Sequence, residues 1–144
     1  MKKSILLIAL ALGVVSVKAQ KLDASAVPSG VTASFQKSYS AIKEVKWEKE
    51  GGNYEAHFKD GAGSETAVYD ATGKFLQSEK AIAVTKLPKD ATDYLSKNLP
   101  GKKVKEAAEI KDAAGVITYE AEVNEVDYTF DAKGKFLKQE ADED

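Results

Sequence analysis

The sequence predicts an α+β fold: a tandem repeat of a helix plus a four-stranded antiparallel meander, giving a sheet of up to eight strands with two helices on one face. Three observations lead there. The stretch Asp70-Ala71-Thr72-Gly73-Lys74-Phe75-Leu76 returns sixty-one residues later as Asp131-Ala132-Lys133-Gly134-Lys135-Phe136-Leu137, identical at six of seven positions. An apolar stripe at helical spacing, Val31, Phe35, Tyr39 and Ile42, has a counterpart in Ala91, Leu95 and Leu99. Downstream of each stripe the apolar period changes from about 3.6 to two, the alternation of a strand with one buried face.

In chain order, Lys2 and Lys3 precede a nearly unbroken apolar run from Ser4 to Val17, followed by Val17-Lys18-Ala19. That is the pattern of an export signal cleaved after Ala19. Fourteen residues at about 1.5 Å rise fall short of roughly 30 Å of hydrocarbon, so no stable membrane insertion is expected after cleavage. Residues 20–26 are polar and small and read as a poorly ordered leader. One domain follows, 27–140, made of two repeats at 27–84 and 85–140, and residues 141–144 form an acidic tail. A mature chain of about 125 residues is long enough for one core.

Pro28 and Pro88 suit the start of each helix, where a missing N–H costs little. Val45 and Trp47, then Tyr54, Ala56 and Phe58, then Ala67 and Tyr69 alternate with polar residues across turns at Gly51-Gly52-Asn53 and Asp60-Gly61-Ala62-Gly63. In the second repeat Val104, Ala108 and Ile110 alternate with Lys105, Ala107 and Glu109. Ile117, Tyr119, Ala121 and Val123, then Val126, Tyr128 and Phe130, continue the inward set.

Composition removes several function classes. The chain has no cysteine, which excludes disulfides, thiolate metal sites and cysteine nucleophiles. Every basic residue is a lysine, and loss of the signal takes three of them and no acid, moving the net charge from −2 to −5. Without arginine and with an acidic balance, nucleic-acid binding is not expected.

No catalytic residue, metal site or cofactor is expected. Asp70 and Asp131 each stand alone in their loops, whereas a calcium loop needs several oxygen ligands at fixed spacing. With Gly73 and Gly134 they read as structural turns: Asp opens a type I turn and Gly takes the left-handed position. His57, the one histidine, lies between Glu55 and Lys59 on the polar strand face and reads as a solvated surface residue. Glu120 and Glu122 share one strand face but read as solvated, not as a carboxylate dyad. Trp47, Tyr54 and Phe58 read as core.

Val27-Pro28 and Leu87-Pro88 ahead of helices, Val45-Lys46-Trp47, Tyr54-Glu55-Ala56-His57-Phe58 and Val68-Tyr69-Asp70-x-x-Gly73-Lys74-Phe75 together resemble the PepSY-like, beta-lactamase-inhibitor-like proteins of Bacteroidetes. The resemblance covers 27–140 and implies a periplasmic or secreted, non-enzymatic binding module, either protein-binding or peptidase-inhibitory and regulatory, that uses its exposed sheet face. It departs at Glu106 and Ala107, where the tryptophan has no counterpart. Inhibitors of the fold it resembles grip their targets with the exposed concave sheet. The corresponding face here carries Glu48, Glu55, His57, Lys59, Thr66, Thr118, Glu120 and Glu122, the expected contacts for an envelope or secreted protein; beta-lactamase inhibition itself is not carried over. The alternative is an envelope protein responding to a small molecule or cation through its acidic surface.

Overall fold

The structure is a computed structural model describing residues 19–61 and 63–141. Residues 1–18, residue 62 and residues 142–144 lie outside the described residues, and so do nearly all of the expected export signal and most of the expected acidic tail.

Nine strands form one antiparallel sheet in strict chain order: β1 (Gln20–Leu22), β2 (Val45–Glu50), β3 (Asn53–Asp60), β4 (Gly63–Tyr69), β5 (Phe75–Ile82), β6 (Glu106–Asp112), β7 (Ile117–Glu122), β8 (Val126–Asp131) and β9 (Phe136–Ala141). Two ten-residue helices, α1 (Ser29–Ser38) and α2 (Lys89–Asn98), complete it. This corrects the expected α+β pair of helix-plus-four-strand units. The molecule is mostly β, and β5 pairs with β6 over six positions, as β6 does with β7, so the sheet runs through without a seam. The ninth strand arises in the presumed leader. Leu22 lies opposite Trp47 and packs against the core, which three residues of polar-rich sequence could not announce.

Both helices start at a proline. The Pro28 carbonyl accepts from the Val31 and Thr32 amides at 3.0 and 3.1 Å, and Pro88 accepts from Ala91 and Thr92 at the same distances. Val31 and Phe35 of α1 join Trp47, Tyr54, Ala56, Phe58, Ala67 and Tyr69 in one buried cluster. Ala91 and Leu95 of α2 join Ala107, Ala121, Val123, Tyr128 and Phe130 in another. By strand alternation these residues share one side of the sheet, so both helices lie there. Strand β6 is one residue out of the expected phase: Ala107 faces the helices, and Ala108 and Ile110 face the other way. Glu106, Ala107 and Ala108 carry too little contrast in size and polarity to fix that register.

The two Asp-x-x-Gly turns have the same wiring. Asp70 Oδ1 accepts from the Thr72 and Lys74 amides at 2.8 and 3.1 Å. Asp131 Oδ1 accepts from the Lys133 and Lys135 amides, both at 2.9 Å. These bonds favour the ionised form, and both carboxyls are held below the usual range, Asp70 chiefly by the Thr72 hydroxyl and Asp131 by the Lys135 amide. A third turn of this design escaped the sequence reading: Asp112 Oδ1 accepts from Ala114 and Val116.

Candidate functional site

The side of the sheet away from the helices is built from the second residue set of each strand. Reading across paired strands, one row runs Lys46, His57, Thr66, Glu79, Ile110, Thr118. A neighbouring row runs Ala81, Ala108, Glu120, Thr129, Lys138, and another Glu106, Glu122, Asp127, Glu140. A few apolar residues sit among many carboxylates.

That mixture corrects the expectation of a freely solvated face. Glu55 is 2 % exposed, Glu120 7 % and Glu122 5 %, because neighbouring strands hold side chains across them. Ala108 is paired opposite Glu120 and Ile110 opposite Glu79, so each carboxylate has lost water on one flank. Burial first, then the nearby Asp127 and Glu79 charges, pushes Glu120 up to about 8. Glu79 is pushed up to about 7, again by burial first and then by Asp127, Glu55 and Glu106. Lys105 Nζ donates to Glu122 Oε1 at 2.7 Å.

His57 is not a solvated surface residue either. Its side chain is 12 % exposed; Nε2 lies 3.3 Å from Glu55 Oε2 and 3.7 Å from Glu48 Oε2. Nδ1 is 3.0 Å from Thr66 Oγ1. The Glu50 carboxyl beside them is raised by burial first and then by Glu55 and Glu48.

Of the eight face residues expected from sequence, Glu48, Glu55, His57 and Thr66 therefore converge at one end. Glu120 and Glu122 lie on β7 towards the other, with Thr118 on the same strand, and Lys59 is exposed near the end of β3. Glu79, Asp127 and Glu106 were missed. Glu79 stands in Gln77-Ser78-Glu79-Lys80, which has no apolar alternation to mark its face. On the helix side a cleft of about 350 Å³ between α2 and the following loop is lined by Leu95, Leu99, Val104 and Val123, with Lys102 as its charged residue. It brings no reactive groups together.

The sequence matches the family model for beta-lactamase-inhibitor-like, PepSY-like proteins over residues 13–77 and 52–138. The chain belongs to the PepSY-like family. Solved structures agree on the fold. A DUF2874 family protein from Bacteroides ovatus superposes with a TM-score of 0.71 at 16 % identity, covering 79 % of this chain and 86 % of that one. A BLIP-like protein from Bacteroides fragilis gives 0.69 at 20 % identity, covering 79 % and 86 %. A protein from Bacteroides eggerthii described as periplasmic gives 0.73 at 14 % identity, covering 80 % and 88 %. No curated protein matches the chain. Among the described residues of this PepSY-like protein, no helix is long and apolar enough to cross a membrane.

Proposed function

We propose that this PepSY-like protein is an exported, non-enzymatic binding module whose sheet face away from the helices docks an envelope or secreted protein presenting lysines or arginines. The observation that carries the reading is the pair Glu79 and Glu120, pushed up to about 7 and 8 on a face crowded with further carboxylates. Carboxyls held partly neutral by burial and mutual repulsion regain their charge when a cation is set beside them. A basic partner thus gains charge-assisted hydrogen bonds that the free protein does not have. The edge of this acidic surface would govern association rate and salt sensitivity, and its buried centre the lifetime of the complex.

Export is supported by the lysine-led apolar segment at residues 1–19 and by a fold neighbour described as periplasmic. Cleavage follows Ala19 in this reading, and amino-terminal sequencing of the exported protein should begin at Gln20.

Immobilised protein and a Glu79→Gln/Glu120→Gln double variant, each challenged with envelope extract at low salt, test the docking. The expected result is a captured basic protein that elutes with added salt and is depleted at least tenfold by the double variant. Equal capture by both would overturn the reading.

A further inference from the structure

We propose that Glu48, Glu55 and His57 form a binding site for a divalent transition-metal ion of the zinc class. One ligand atom from each of the three residues lies within 4.8 Å of those of the other two. Zinc holds nitrogen and oxygen ligands at about 2.0–2.2 Å, so two ligands of a tetrahedral site stand roughly 3.3–3.5 Å apart. The His57 separation of 3.3 Å from Glu55 falls in that range, and the 3.7 Å from the partly exposed Glu48 lies just beyond it. Two carboxylates and one imidazole leave a fourth position for water or an incoming ligand.

The independent observation is what the buried atoms lack. Glu55 is 2 % exposed, and neither its Oε2 nor His57 Nε2 makes a hydrogen bond within the protein, although they face each other. Orphaned buried polar atoms are destabilising unless something satisfies them. Thr66 gives the arrangement its direction. With the Nδ1 proton donated to Thr66 Oγ1, 3.0 Å away, Nε2 presents its lone pair to the carboxylates. In that tautomer the lone pairs of His57 Nε2 and Glu55 Oε2 stand opposed at 3.3 Å and repel, and a cation between them satisfies both. Glu48, with 22 % of its side chain exposed, is the side from which an ion would enter. The imidazole favours zinc, cobalt or nickel over calcium and magnesium, which prefer all-oxygen shells. This site requires no partner protein and stands apart from the docking reading.

Calorimetric titration of chelator-stripped, dialysed protein with zinc chloride tests it. One ion per chain is expected, with affinity lowered at least a hundredfold by His57→Ala and at least tenfold by Glu48→Gln. Thr66→Val, acting through ring orientation, should lower it about tenfold, and Glu120→Gln should leave it unchanged. Glu48→Gln alters a partly exposed residue and keeps the test informative should His57→Ala fail to fold. Absence of zinc binding, zinc affinity unchanged in His57→Ala and Glu48→Gln, or calcium bound as tightly as zinc would each overturn the proposal.

Discussion

Gly73 rests its backbone directly on Gly30: a Cβ built at Gly73 would fall 2.4 Å from the Gly30 carbonyl oxygen. Gly73 also has φ of +89°, so the turn between β4 and β5 is pressed onto the first turn of α1 with no room for a side chain. Gly134 meets the Ala91 amide of α2 in the same way, at 2.6 Å. The repeated turn is thus a helix clamp.

Gly115 supplies the control, since it has φ of +83° and open space around it. Gly115→Ala should cost about 1–2 kcal/mol, the left-handed penalty alone. Gly73→Ala should cost more than that because backbone must also move. Chemical denaturation of the two variants measures the difference; equal losses would remove the clamp from the account.

Tyr69 and Tyr39 should respond in opposite ways to loss of the hydroxyl. Tyr69 is fully buried, its hydroxyl makes no hydrogen bond within the protein, and burial pushes it up to about 12. Tyr69→Phe should therefore be neutral or stabilise by up to about 1 kcal/mol. Tyr39 donates to Glu65 Oε1 at 2.6 Å, and Glu65 is itself buried. Tyr39→Phe should destabilise by about 1–3 kcal/mol. Thermal unfolding of both variants reads the contrast.

The hairpin between β7 and β8 turns through Asn124 and Glu125 at φ of 53° and 62°, with reciprocal backbone bonds between Val123 and Val126. Two left-handed residues in a two-residue loop favour Asn-Gly. Glu125→Gly should therefore raise stability by about 0.5–1 kcal/mol, measured by denaturant midpoint.

Glu79 and Glu120 give stability a pH dependence of definite sign. Each carboxyl binds its proton more tightly folded than unfolded, rising from 4.5 to about 7 and about 8. Between these limits the folded state holds more protons, so this contribution falls as pH rises from about 4.5 to 8. Glu120→Gln should flatten that fall and stabilise the protein by about 1 kcal/mol or more at pH 8. Melting temperatures at pH 5 and pH 8 for both proteins check it; parallel curves would contradict it.

Much of the sheet was legible because β2, β3, β7 and β8 alternate large apolar residues with charges, and the prolines marked both helix starts. Strand β1 was not, since Gln20–Leu22 offers one apolar residue whose burial depends on Trp47 in a distant strand. The site was half legible. Alternation placed Glu48, Glu55, His57 and Thr66 on one face, but their convergence is a matter of register across β2, β3 and β4. The burial of Glu120 follows from Ala108 facing it, and that register was hidden in the run Glu106-Ala107-Ala108. Glu79 gained its importance from Ile110, thirty-one residues away and paired across β5 and β6.

The docking face is tested most directly by photocrosslinking in the intact envelope, with a photoreactive residue at Thr66 or Thr129 on the carboxylate face and at Lys37 or Lys97 on the helices. Adducts to one protein are expected from Thr66 and Thr129 only, and they should disappear in the Glu79→Gln/Glu120→Gln background. Adducts formed from the helix positions alone, or undiminished by the double substitution, would contradict the account.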